Sequence, residues 1–258
     1  WKAEGPGSRT RRSSTLHRMH NGGSTREESP NDMKVAAILG EGKAGLADRP
    51  DPTPEGEFVL LKVELVPICT EYKGFKAGRV HDNLGHEAVG EVVEVAQPGQ
   101  VKVGDRVVVQ CGKGCGRCAL CHAGDQIHCL DGHDPGSRQP TFAQYLLQKD
   151  WLCSPIPDGV SYKHAGMALC GLGPSFSAMH LVDVQATDTI LITGLGPVGL
   201  GGVINGSYRG ARVIAVESLP FRVDLGKEMG AEVVLDPNDD DILAQIMDLT
   251  DGIGVDKA

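Results

Sequence analysis

Long hydrophobic runs are missing from this 258-residue chain: no apolar stretch approaches the length needed to span a bilayer. Positive charge is also scarce. There are 25 Lys and Arg against 34 Asp and Glu, for a net charge of -9, which argues against nucleic acid or an anionic membrane as a partner. No internal repeat is visible. No secretory signal pattern opens the chain, so its eight cysteines are expected to be reduced and metal-bound, in the cytoplasm, rather than paired in disulfides. Apolar content is ordinary for a globular protein. Glycine is plentiful, at 35 residues, which suits many short strands and tight turns, and the length allows two domains.

Residues 1–32 are rich in Ser, Arg, Gly and Thr and carry no apolar period, so they are expected to be a non-native or disordered extension. Arg9, Arg11, Arg12 and Arg18 suit a transit peptide, whereas Glu4, Glu27 and Glu28 count against one. Met33 opens a credible first strand. From there to about Pro157 the pattern is short strands and turns. Strands are expected at Phe58–Leu65, Gly90–Val95 and Arg106–Gln110, with turns at Gln97–Gln100 and Gly104-Asp105. This reads as a compact β-barrel-like unit. After about Leu181 strands and helices alternate. Strands are expected at Thr189–Thr193, Ala211–Val216 and Ala231–Leu235, and helices after Gly199, over Phe221–Met229 and over 240–249. Gly254–Ala258 reads as the start of a fourth strand. Alternation of this kind builds a parallel sheet.

Two motifs carry chemistry. Cys115, Cys118, Cys121 and Cys129 fall within fifteen residues, spaced C-x2-C-x2-C-x7-C. Repeated C-x2-C is poor disulfide geometry and good zinc geometry, and four thiolates close the coordination sphere, so this lobe (111–130) is a structural site. Further on, Gly194-Leu195-Gly196-Pro197-Val198-Gly199 follows an apolar strand and opens a helix, the context of a dinucleotide fingerprint. Gly194 permits the tight turn, Gly196 the approach of a pyrophosphate, and Gly199 close helix–strand packing. Pro197 costs little in a first turn, and unpaired N–H groups there attract phosphates. Glu217, at the end of the second strand, is placed to accept from an adenosine ribose and to repel a 2′-phosphate, which favours NAD over NADP. Its bland alternative is a solvated strand end. His86, Cys69 and Cys170, taken singly, read as a turn histidine and two small buried cysteines.

The chain resembles the zinc-containing medium-chain dehydrogenases, the alcohol and polyol dehydrogenase family. The resemblance runs from Met33 to Ala258. It rests on Gly85-His86-Glu87 with Gly90, on Gly104-Asp105-Arg106-Val107, on the four-cysteine lobe and on Gly194–Gly199, in that order. It implies an α/β protein with a β-rich GroES-like N-terminal domain (33–180) and a C-terminally incomplete Rossmann domain (181–258), a C-terminal half being expected beyond Ala258. It also implies a catalytic zinc held by Cys69, His86 and Cys170 with one position open, and Glu87 beside the metal. With the lobe, that makes two zinc ions per chain. The implied chemistry is hydride transfer between an alcohol or polyol, or the matching aldehyde or ketone, and NAD. The implied partner is that small molecule, and the full-length form is expected to be a homodimer or homotetramer. Cys111 and Cys153 are left as structural.

One position departs from the family. Two residues after the first zinc cysteine the family usually has Ser or Thr, opening a proton relay. Here that position is Glu71, with Thr70 before it. The residues leave three readings open: Glu71 accepts the proton, Thr70 replaces the hydroxyl, or water carries it. A second functional class, a zinc-stabilised nucleotide-binding protein without redox activity, is served by the lobe alone. It has no need of Cys69, His86 and Cys170 as a set.

Overall fold

The computed structural model describes residues 32–110, 114–131, 139–239 and 241–258. The expected extension lies outside them save for Asp32, which opens the first strand. β1 (Asp32–Gly40) buries Met33, Val35 and Ala37 on alternate positions and folds back through the Gly42 turn into β2 (Lys43–Pro50). A five-stranded antiparallel sheet follows. It is built from β3 (Phe58–Leu65), β4 (Ala88–Val95), β5 (Arg106–Val109), β6 (Tyr145–Lys149) and β7 (Cys153–Pro155), in the order β6-β3-β4-β5-β7. Period-two valines and leucines fill its inner face: Val59, Leu61, Val92, Val107, Val109 and Leu146 form one cluster. β1 is stitched to this unit by the Val35–Ala143 bridge and by Ala36 N–H donating to Phe142 O at 2.8 Å. Cys153 is buried in this core, and burial pushes its thiol up to about 12.

Short helices punctuate the connections: α1 (Glu71–Lys76), α2 (Ala119–His122) and α3 (Tyr162–Gly166). Ser161 caps α3 by accepting from His164 N–H at 3.2 Å. α4 (Gly173–Leu181) then leads to the parallel unit: β8 (Thr189–Thr193), α5 (Pro197–Tyr208), β9 (Arg212–Val216), α6 (Pro220–Glu228), β10 (Val233–Leu235) and α7 (Ile242–Leu249). The sheet order is β10-β9-β8, all parallel. Met179 of α4 already packs in the core of this unit with Ile190, Leu195, Val203 and Val213. On the far side of β8, Lys257 bridges Ile190 in parallel, where the fourth strand was expected to begin.

Two elements begin two residues later than the sequence pattern suggests. Ala231 does not join β10, because its N–H closes the end of α6 by donating to Gly226 O at 2.9 Å, with Gly230 at φ +115 making the stop. α7 begins at Ile242, since the Asp241 side chain caps it by accepting from Ala244 N–H; residue 240 lies outside the described residues. Among the described residues no helix is long and apolar enough to cross a membrane.

Candidate functional site

Three separate loops deliver the first set of donors. Cys69 lies between β3 and α1, His86-Glu87 leads into β4, and Cys170 sits between α3 and α4. Their ligand atoms, together with a Glu87 oxygen, all lie within 4.8 Å of one another. His86 Nε2 is 3.3 Å from Cys170 Sγ and 3.6 Å from Glu87 Oε1. Each cysteine is fastened by its backbone. Cys69 N–H donates to Glu71 Oε2 at 2.9 Å, and Cys170 N–H donates to Glu87 Oε2 at 3.0 Å. Glu71 Oε1 meets His86 Nδ1 at 2.8 Å; a carboxylate only accepts, so Nδ1 carries the proton and Nε2 keeps its lone pair. Glu87 is 2% exposed, and its Oε1 has no hydrogen-bond partner. A buried orphan oxygen aimed at two sulfurs and an imidazole fits a cation. Two thiolates and one imidazole are a zinc donor set that keeps one position open. Thr70 is exposed at the start of α1 and its side chain makes no capping bond.

The second set is the lobe. Cys118 precedes α2, Cys121 lies in it, and a 3-10 turn over Gln126–His128 returns the chain to Cys129. Cys115 Sγ lies 4.0 Å from Cys121 Sγ, and Cys118 Sγ 3.8 Å from Cys129 Sγ. The edge of a tetrahedron with Zn–S bonds of about 2.3 Å is about 3.8 Å, so these spacings fit one ion and no disulfide. The Arg117 backbone N–H pulls the Cys115 thiol down to about 6, while burial pushes that of Cys121 up to about 11. Trp151 lies against the lobe: a methyl placed on Gly114 would meet both its ring and Cys121 Sγ. Composition and spacing carry no signal for that contact. Cys111 lies outside the described residues.

The third element is the turn between β8 and α5. Gly194 has φ +79, a conformation that side chains rarely adopt. A Cβ on Gly199 would strike the Gly194 carbonyl, whereas one on Gly196 would meet nothing. The backbone at Gly196 therefore faces open space. No side chain caps α5, so first-turn N–H groups, among them that of the half-exposed Val198, are free of side-chain partners beside Pro197. An open backbone cradle at a helix N-terminus fits a pyrophosphate.

Glu217 is not a solvated strand end. It is 7% exposed; its Oε2 accepts from Leu195 N–H at 2.9 Å, and Oε1 from Ser218 and Leu219 N–H at 2.9 and 3.0 Å. Those amides, Leu219 first, then Leu195 and Ser218, with the Arg222 charge, hold its carboxyl below the usual range. One further link was not anticipated. Gly201 of α5 packs so closely on Gly171 and Leu172 that a Cβ would strike the Gly171 carbonyl, and Asn205 bonds Leu172 O. An Asn within an apolar helix is the sequence signal for the side-chain half of that link, the bond to Leu172 O.

Residues 55–158 match the family model for the alcohol dehydrogenase GroES-like domain, and residues 197–258 match that for zinc-binding dehydrogenases. Sorbitol dehydrogenase of Bacillus subtilis is 33% identical over 244 residues, 89% of this chain and 68% of its own length. An isopropanol dehydrogenase of Clostridium beijerinckii, named NADP-dependent, is 32% identical over 238 residues, 87% of this chain and 68% of its own. A crystal structure of an Escherichia coli oxidoreductase/dehydrogenase of unknown specificity superposes with a TM-score of 0.78 at 26% identity, covering 88% of this chain and 70% of that one. Sequence similarity over most of the chain and a shared two-part fold lead to one conclusion: the chain belongs to the zinc-containing alcohol and polyol dehydrogenase family of medium-chain dehydrogenases.

Proposed function

We propose that this chain is a zinc-dependent oxidoreductase that moves a hydride between an alcohol or polyol, or the matching aldehyde or ketone, and NAD. The observation that carries the proposal is the convergence of Cys69, His86 and Cys170 beside the orphaned Glu87 oxygen. A nucleotide-binding protein without redox activity has no use for that set. In this reading the unit from 33 to 180 holds the metal and the unit from 181 to 258 the coenzyme.

When bound, zinc supplies Lewis acidity toward a substrate oxygen and the nicotinamide supplies the hydride acceptor. The chain does the rest. Cys69, His86 and Cys170 hold the metal, and Glu87 supplies negative charge at its side. Gly194, Gly196 and Gly199 bring backbone N–H groups, those of Val198 and the first turn of α5, to the pyrophosphate, with Pro197 presetting the helix. Glu217 offers a carboxylate that stays ionised at neutral pH, which attracts ribose hydroxyls and repels a 2′-phosphate. Assembly as a homodimer or homotetramer and a cytoplasmic location belong to the same proposal.

The test is a panel of alcohols and polyols with NAD and NADP, followed at the reduced-nicotinamide absorbance band on metal-analysed protein. Substrate-dependent reduction of NAD that disappears on removing the metal is the expected result. Zinc-loaded protein that binds NAD but fails to reduce it with any alcohol or polyol of the panel supports the binding protein instead.

A further inference from the structure

Glu71 occupies the position where the family carries a hydroxyl, and its carboxylate makes two bonds at once. Oε1 accepts a hydrogen bond from His86 Nδ1–H at 2.8 Å, and Oε2 accepts one from the Cys69 N–H at 2.9 Å. We propose that Glu71 is a positioning residue for the catalytic metal and not a proton relay. The inference rests on the reading of Cys69, His86 and Cys170 as metal ligands.

Three observations support it. First, the bond to Nδ1 fixes the imidazole tautomer and leaves Nε2 to face Cys170 Sγ and Glu87 Oε1. A charge-assisted bond of this kind also fixes the plane of the ring. Second, the same carboxylate ties two donors from separate loops, Cys69 before α1 and His86 before β4, into one frame. Third, the Glu71 side chain is 14% exposed while His86 is 39% exposed. The carboxylate is thus the more shielded of the two, and both of its oxygens are already engaged in the frame. Glu87 repeats half of the arrangement: it fastens the Cys170 amide through Oε2, but its Oε1 is left for the donor cluster. The two glutamates thus divide the work, one orienting the ring and the other lying beside the donors. An aspartate at position 71, one methylene shorter, cannot span both partners without moving the backbone.

The experiment compares the full chain with Glu71→Ala, Glu71→Gln and Glu71→Asp, loaded with zinc or cobalt(II). Chelator competition gives the affinity at the catalytic site, the cobalt d–d bands report its geometry, and the lobe ion serves as the internal control. Glu71→Ala is expected to weaken metal binding at that site by about 10- to 100-fold and to shift the cobalt bands, with the lobe unchanged. Glu71→Asp and Glu71→Gln are expected to fall between Ala and wild type. Wild-type affinity and bands in Glu71→Ala overturn the inference. If that variant does not fold, the isosteric Glu71→Gln decides in its place, and wild-type values there overturn it equally. A wild-type chain that takes up only the lobe ion overturns the ligand assignment itself, a result distinct from two ions bound with Glu71 indifferent to both.

Discussion

Asn205 Nδ2 donates to the carbonyl oxygen of Leu172 at 3.0 Å, two residues beyond Cys170. The same nitrogen reaches Ser175 Oγ at 2.9 Å, and one turn earlier Gly201 rests on Gly171. The helix that opens on the Gly194–Gly199 turn is thereby seated on the loop that presents the Cys170 thiol. Moving either one disturbs the other.

Gly201→Ala tests that seating. Its methyl group meets backbone atoms, which cannot swing aside as a side chain can. Overpacking of this kind costs about 1–3 kcal/mol. The expected outcome is a lower melting temperature with weakened metal binding at the Cys170 site and lobe zinc retained. An unchanged melting temperature and full zinc content would show that the contact yields easily.

Removing a donor separates the two metal sets. Cys170→Ser is expected to lower the zinc content from two ions per chain to one and to abolish alcohol oxidation, because a neutral hydroxyl is a poor zinc ligand beside thiolate and imidazole. Metal analysis by mass spectrometry reads the count. Two ions retained would take Cys170 out of the donor set.

Trp151 makes the lobe visible. It is half-buried against Gly114 and Gly116, and the other tryptophan, Trp1, lies outside the described residues. Cys118→Ser is expected to lose the lobe ion, lower the melting temperature and shift Trp151 emission to the red, since four-thiolate zinc contributes folding free energy. Trp151→Phe should remove that spectral change. Unaltered stability and zinc content in Cys118→Ser would deny the lobe its structural role.

Glu217 predicts a pH dependence of definite sign. Its folded carboxyl is held below the ordinary value by the amides of Leu219, Leu195 and Ser218. A depressed carboxyl stabilises the fold above its unfolded value, about 4.3, and that contribution is lost as pH falls through the folded value. Wild type and Glu217→Gln should therefore differ most near neutrality, by about 1–3 kcal/mol, and converge in acid. A pH-independent gap in melting temperature would contradict this. Glu217→Ala should also weaken NAD and narrow the preference over NADP.

The parts of the molecule written in local patterns were legible in the sequence. Gly194–Gly199 announces a strand-to-helix turn because its glycines answer to backbone constraints within a few residues. The cysteine spacing likewise announces four sulfurs that can meet. Ala231 was misplaced because the β-forming pull of Val233 and Val234 does not reach back to an alanine whose N–H closes α6. The role of Glu71 was not legible, because the direction of its side chain depends on how α1 leaves Cys69 and on where His86 arrives from a distant loop. The Gly201–Gly171 approach is a meeting of two backbones, and no residue type signals it beyond the glycines themselves.

The strand order β6-β3-β4-β5-β7 has a kinetic side. Phe58 at one end of β3 pairs with Lys149 at the end of β6, so the sheet cannot be completed until the whole cysteine lobe between them has been threaded. Each neighbour pair in the parallel unit, by contrast, closes across a single helix. Contacts of long sequence separation form slowly, because the loop entropy is lost before the contact is gained. By this argument the antiparallel unit folds more slowly than the parallel one, and until β6 arrives the β3 edge is open to pairing with another copy.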